Sequence, residues 1–195
     1  MERVSEGAEA LMFEIRLSGE PLLVKARNRK AWRIARIDEE LRGKRTKKEA
    51  KLMVAASKAG AAVPGVAAIG KYSIFMQKIE GKLLKDSKPT AKEMYSIGRY
   101  LGYMHAKGIT HGDFTSANLM LTKDGPYIID FGLGNFSNSE EEKALDLLLL
   151  ERSISKAAYT NALKGYVSVS KEYLTVISRL DEIKKRGRYQ TRTLA

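Results

Sequence analysis

The sequence predicts an α+β fold in two lobes: a β-rich N-terminal lobe carrying one helix, and a mostly helical C-terminal lobe. Three observations support it. Short apolar runs near 11–17, 21–26, 66–70 and 72–79 are separated by turn chemistry such as Pro64-Gly65. From Thr90 onward, outside residues 111–132, apolar residues recur at helical spacing. Between these regimes lies HGDFTSANLMLTKDGPYIIDFG, residues 111–132, which has no helical period and reads as loop, strand, turn and strand. At 195 residues and 44% hydrophobic, the chain can bury the core of one domain or two small lobes. We read 1–195 as one domain, with an N-lobe over 1–80, a C-lobe over 81–185 and a basic tail over 186–195.

Taken in order, residues 2–5, 11–17 and 21–26 are expected strands, and Gly7 sits at the turn between the first two. Leu22-Leu23-Val24-Lys25 is an apolar strand ending on a lysine, which by itself marks a solvent edge. The basic stretch 28–45 holds Trp32, Ile34, Ile37 and Leu41 at near-helical spacing. It leads into a helix expected to start at Thr46, because Thr46-Lys-Lys-Glu49 has the form of a capping box. Gly60 ends that helix, and strands follow near 66–70 and 72–79. A second capping box, Thr90-Ala-Lys-Glu93, opens a helix over 91–107 with Met94, Ile97, Leu101 and Met104 on one face. His105 and His111 read as packing histidines. Helices are expected at about 139–155, 156–167 and 170–186, the first with Glu140, Glu141 and Glu142 in its opening turn.

The chemistry is concentrated in residues 111–132. Asp113 and Asn118 are five apart in one loop, so both can face a shared space. Leu119 to Leu121 and Tyr127 to Ile129 flank the turn residues Lys123, Asp124, Gly125 and Pro126. A hairpin of that length returns Asp130 to the side of the loop where Asp113 and Asn118 sit. Asn118 and Asp130 then offer two oxygen ligands for magnesium, a hard cation usually held by one or two carboxylates plus substrate phosphates. Asp113 is left to take a hydroxyl proton. The pattern reads as an ATP site.

The absence of cysteine excludes disulfides and thiolate metal sites and fits a reducing compartment. No segment approaches the ~20 apolar residues of a membrane span, so we expect a soluble, cytoplasmic protein without a membrane partner. The net charge of +12 fits a polyanionic partner such as RNA, or an acidic protein surface; equally, it fits ordinary solvation of the exterior.

His111, Asp113 and Asn118, followed one hairpin later by Asp130-Phe131-Gly132, resemble the protein kinase superfamily, whose catalytic loop and metal-binding Asp-Phe-Gly have this order. The resemblance implies a minimal bilobal protein-kinase-like fold in which the N-lobe helix is regulatory. It makes Lys25 the strand lysine on the α and β phosphates, with Glu49 as its helix partner in preference to a capping role. Asp113 becomes the catalytic residue, and Asn118 and Asp130 the magnesium ligands. Gln77 and Ile79 become hinge residues whose backbone would hold adenine. Gly7 lies where the family carries a glycine-rich loop over the phosphates, so turn and phosphate-lid readings both stand. After Gly132 there is no long activation segment and no Ala-Pro-Glu, and Gly112 replaces the usual arginine.

GAEA at Gly7, KARNRKAWR from Lys25, IDEEL, KRTKKEA, HGDFTSAN, IIDFGL, EEKALDLLLLER and KKRGR together resemble a narrower family. It is the small atypical kinase subunit of the KEOPS (EKC) complex, which supports threonylcarbamoyladenosine modification of tRNA. Departures are Ala35, where the family often has proline, and a less basic ending over 188–192. The resemblance implies a magnesium-dependent ATPase and serine/threonine autokinase. Its expected partners are the complex's threonylcarbamoyl-transferring subunit and its small regulatory subunit. The basic end, from Lys184, reads as docked on the transferring partner, contacting tRNA, or solvated. Rival readings are a RIO-like or small-molecule phosphotransferase, and a non-catalytic scaffold for partner proteins and tRNA.

Overall fold

The computed structural model describes residues 2–6, 10–17 and 19–192, with side chains for 10–17 and 19–186. The N-lobe sheet is built from β1 (Glu2–Glu6), β2 (Ala10–Leu17) and β3 (Glu20–Arg27), joined by β4 (Val66–Ile69) and β5 (Ser73–Gln77). All pairings are antiparallel, in the order β1-β2-β3-β5-β4. The excursion between β3 and β4 carries α1 (Ala35–Ala59).

The start of α1 corrects the expectation of a helix opening at Thr46. Thr46 is buried in mid-helix, where its hydroxyl donates to the Arg42 carbonyl at 2.9 Å instead of capping. The near-helical spacing of Ile34, Ile37 and Leu41 was itself the first helical turns, and Gly43 is too small a penalty to break them. Those turns bury little apart from Asp38, which accepts from the Lys30 N–H at 3.2 Å and from Arg42 Nε at 2.7 Å. The later turns are different: Glu49, Ala50, Met53 and Ala56 form a stripe turned inward. Gly60 ends the helix at φ 100°, its N–H reaching the Ala56 and Ser57 carbonyls.

Two short strands, β6 (Lys82–Leu83) and, after α2 (Ala91–Ala106), β7 (Ile109–Thr110), lead to the hairpin β8 (Leu119–Thr122) and β9 (Gly125–Ile128). The capping box on α2 is formed as expected, Glu93 N–H bonding to the Thr90 hydroxyl and the Glu93 carboxylate to Thr90 N–H. Met94, Ile97, Leu101 and Met104 are each at most 1% exposed. The hairpin turn is tighter than expected: Pro126 lies in β9, opposite Leu121, and not in the turn. It is tolerated because β9 is the edge of the sheet β6-β8-β9, where a missing N–H breaks no ladder.

Beyond the hairpin, β10 (Asn135–Phe136) pairs with β7, so the chain leaving residues 111–134 is fastened beside the chain entering them. Three helices complete the lobe: α3 (Glu140–Ser153), α4 (Lys156–Val167) and α5 (Tyr173–Arg192). Helices α2 and α4 meet backbone to backbone. A Cβ on Gly98 would lie 1.7 Å from the Ala162 carbonyl oxygen, and one on Gly165 1.9 Å from that of Tyr95. Leu147, Leu150, Val176 and Leu180 join α3 and α5 to the same core. Helix α5 runs further than 170–186, through Arg192, and Lys184 and Arg186 pair with Glu151 and Glu141. Among the described residues, no helix is long and apolar enough to cross a membrane.

Candidate active site

Strand alternation puts Lys25 and Arg27, two residues apart, on the same face of β3, both buried. That face looks toward the inward stripe of α1, where Glu49 waits. Lys25 Nζ is 2.6 Å from Glu49 Oε1, and Arg27 Nη2 is 2.5 Å from Glu49 Oε2. The lysine also reaches the other lobe, with its Nζ 2.7 Å from Asp130 Oδ1. Glu49 is therefore an ion-pair partner and not a cap.

Asp130 is the non-glycine residue with positive φ among those described, at 60°. Aspartate tolerates that left-handed region better than most side chains, and the turn brings the Gly132 N–H back onto Asp130 Oδ1 at 3.0 Å. Burial pushes the Asp130 carboxyl up, but the charge and hydrogen bond of Lys25, with the Gly132 N–H, hold it below its ordinary value. The carboxylate is thus kept ionised.

The loop beneath is equally determined. Asn118 Nδ2 donates to the Asp113 carbonyl at 2.9 Å and to Asp113 Oδ2 at 2.8 Å, which leaves the amide oxygen as the outward acceptor. His111, fully buried, bonds through Nε2 to the Ile129 carbonyl at 3.1 Å and accepts the Asp113 N–H on Nδ1 at 3.3 Å. Together these bonds define a neutral ring protonated on Nε2. Its ring packs against Phe114 and Phe131, tying the loop to the Asp-Phe-Gly segment. Below it, buried Asp146 of α3 accepts the His111 N–H at 2.7 Å and the Gly112 N–H at 2.8 Å. His105 completes this support, donating from Nε2 to Asp146 at 3.2 Å while Nδ1 meets the Tyr166 hydroxyl at 3.0 Å. Burial raises that phenol to about 12, so it keeps its proton for His105.

Lys25, Glu49, Gln77, Ile79, Asp113, Asn118 and Asp130 all line one cavity of about 520 Å³, with apolar walls from Ala10, Leu23, Met76, Met120 and Ile129. Gly7 lies outside the described residues. The Gln77 N–H is already given to the Gly65 carbonyl at 2.8 Å. Two participants went unread in the sequence. Arg27 was signalled only by its i+2 relation to Lys25, and Asp146 only by being a carboxylate inside the apolar run of α3. No group of three His, Cys, Asp or Glu converges among the described residues. The oxygen set of Asn118 and Asp130 is instead the sparse kind that suits a divalent cation sharing its shell with phosphates and water.

The fold and this cleft define a protein-kinase-like domain. The RIO domain family matches residues 25–159. A Bud32 homologue from Archaeoglobus fulgidus, described as a probable serine/threonine-protein kinase, is 39% identical over 89% of this chain and 91% of its own length. The KEOPS complex subunit Bud32 of Pyrococcus abyssi is 33% identical over 99% and 98%. The chain belongs to the Bud32 family of RIO-domain, kinase-like proteins. It is also 36% identical to a probable bifunctional tRNA threonylcarbamoyladenosine biosynthesis protein of Methanosphaera stadtmanae, covering 94% of this chain but only 36% of that relative. Among solved structures, the Rio2 kinase–ADP/Mg2+–phosphoaspartate complex of Chaetomium thermophilum superposes with a TM-score of 0.63 at 17% identity, over 96% of this chain and 70% of that one.

Proposed function

We propose that this protein binds ATP with Mg2+ and releases or transfers the γ-phosphoryl group as a subunit of a KEOPS-type complex acting in tRNA threonylcarbamoyladenosine formation. The observation that carries the reading is Lys25, paired at once to Glu49 of the N-lobe and Asp130 of the C-lobe, in the cavity that also holds Asp113 and Asn118. Lys25 binds the α and β phosphates, and Glu49 fixes its position. Asp130 and the Asn118 amide oxygen hold Mg2+, which when bound neutralises charge on the phosphate oxygens. Asp113, oriented by Asn118, accepts a proton from a serine or threonine hydroxyl or from water. Phosphoryl transfer through a loose transition state needs mainly positioning and charge compensation, which this set supplies. Adenine would lie between Leu23 and Met120 and meet the segment after β5 through backbone groups other than the Gln77 N–H, those of Ile79 among them.

Between Gly132 and Ser139 the chain has only six residues, two of them in β10, so no peptide-binding platform follows the site. That favours hydrolysis or self-phosphorylation over modification of an outside protein. The names of the relatives support the assembly and the tRNA pathway. On this reading, the threonylcarbamoyl-transferring and small regulatory subunits are the partners, and the basic end of α5 docks on the former. The test is Mg2+-dependent phosphate release from ATP by wild type and Asp130→Asn, with and without the transferring subunit and tRNA. Turnover lost in Asp130→Asn and altered by the partner is expected. Equal turnover in both proteins would refute the assignment, and none in any mixture would leave the scaffold reading.

A further inference from the structure

Strand register extends the roof of the cavity beyond the residues that line it. Ala10, Met12, Leu23, Lys25 and Arg27 all face the cavity, and across β2 and β3 Ala10 is opposed by Arg27 and Met12 by Lys25. Opposed residues share a side of the sheet and alternate residues repeat it, so the next pair on this face is Glu14 with Leu23. Leu23 is in turn opposed by Met76 of β5, which sets Glu14 at the end of the roof nearest the segment after that strand. Its carboxylate lies 2.7 Å from Lys78 Nζ, 64 residues away. That bond raises the Lys78 ammonium above its ordinary value against partial desolvation, with Glu80 adding to the effect and Arg16 opposing it.

Lys78 is the first residue beyond β5, in the segment that joins the lobes. Backbone pairing ends one residue earlier, at Gln77, whose N–H donates to the Gly65 carbonyl and whose Oε1 accepts the Gly65 N–H. From there the segment passes between the cavity, which Ile79 lines, and a second hollow of about 430 Å³ that it shares with Leu121, Thr122 and Tyr127. Hollows on both sides leave it little packing, so a side-chain bond to the roof has leverage. The cleft is bridged at both ends, by Lys25 to Asp130 and by Glu14 to Lys78. With side chains 31% and 25% exposed, the Lys78–Glu14 pair is strong enough to bias opening and weak enough to break often. We propose that Glu14 and Lys78 form a clasp between the roof strand and the interlobe segment, which gates the entry and exit of nucleotide at the adenine end. This rests on the ATP-site reading given above.

The test is stopped-flow association and dissociation of Mg2+·ADP carrying a fluorescent N-methylanthraniloyl group, for wild type, Glu14→Gln, Lys78→Met, the double variant and the charge swap Glu14→Lys/Lys78→Glu. A clasp that must open in both directions slows both rates. Each single variant should therefore raise association and dissociation together by about two- to fivefold, the range that a partly exposed ion pair supports. The dissociation constant should stay within about twofold of wild type. The double variant should be no faster than either single one, and the swap should return the rates toward wild type. At about 1 M salt, where charges are screened within about 3 Å, the wild-type rates should approach those of the variants. Unchanged rates in both single variants, additive effects in the double variant, or rates indifferent to salt would overturn the clasp. So would a tenfold loss of affinity with normal association, which would place Glu14 on the nucleotide itself. A wild-type protein that binds no ADP would instead overturn the ATP reading, and the clasp with it.

Discussion

Asp146 Oδ1 accepts the Gly112 amide at 2.8 Å, so a carboxylate with no exposed surface fixes the backbone that presents Asp113. Its other oxygen takes the His111 amide and His105. Asp146→Asn would set an NH2 group against an amide N–H at one of these contacts. We expect turnover to fall by at least tenfold and stability to drop by about 3 kcal/mol, the usual scale for breaking a buried charged network. Urea denaturation together with phosphate release would measure both, and a wild-type midpoint would contradict the role.

Gly112 itself has φ 75°, and a Cβ there would stand 2.4 Å from the Leu133 carbonyl oxygen. Gly112→Ala should therefore displace either the loop or the segment after Asp130, at a cost of about 1–3 kcal/mol. Since Gly112 is solvent-exposed, the damage should be local. Activity should be lost with little change in far-UV circular dichroism, and the backbone resonances of 111–113 and 131–134 should shift together. Unshifted resonances would count against the contact.

Gly98 tests the packing of the C-lobe away from the cavity. Its Cβ would lie 1.7 Å from the Ala162 carbonyl, in the middle of the α2–α4 contact. Gly98→Val should destabilise by about 3 kcal/mol or prevent folding, because overpacking against backbone cannot be relieved by a rotamer change. Gly19, whose surroundings are open, is the matched control on the surface, although its φ of 90° carries its own smaller cost. Equal melting temperatures for Gly98→Val and wild type would disprove the close approach.

The Lys25–Asp130 pair makes an acid-side prediction. Although burial alone would raise Asp130, Lys25 and the Gly132 N–H bring its folded value below the ordinary 3.8. A carboxyl depressed in the folded state stabilises the fold above its unfolded value, and that contribution disappears as pH falls through the lower folded value. The ligand-free wild type should therefore lose melting temperature faster than Asp130→Asn as pH drops below about 4, with the two curves parallel above about 5. Parallel curves throughout would show that the pair is absent in solution.

What the sequence made legible were features whose partners lie near in the chain. The α2 box needs only Thr90 and Glu93, and the stripe Met94, Ile97, Leu101, Met104 needs only helical period. The loop from His111 to Asp130 closes within one hairpin, so its spacing was informative. The start of α1 was misread because Thr46-Lys-Lys-Glu49 imitates a cap; the pairing of Glu49 with Lys25, 24 residues earlier, was legible only through the kinase resemblance and not from any local signal. Arg27 and Asp146 were missed for the same reason: their partners lie 22 and 34–35 residues away. Pro126 misled in the other direction, since a turn residue type also fits an edge strand.

The pairing of β10 with β7 has a pharmacological consequence. Phe131 is 1% exposed, and the chain on either side of it is short and fastened, through Asp130 to Lys25 and through Asn135 and Phe136 to Thr110 and Ile109. For the ring to leave its pocket, the contact with His111 would be lost and the segment between Asp130 and β10 would have to rearrange. Inhibitor chemotypes that draw their affinity from a vacated phenylalanine pocket would have to displace a ring that is 1% exposed and packed on His111, and should bind this protein weakly.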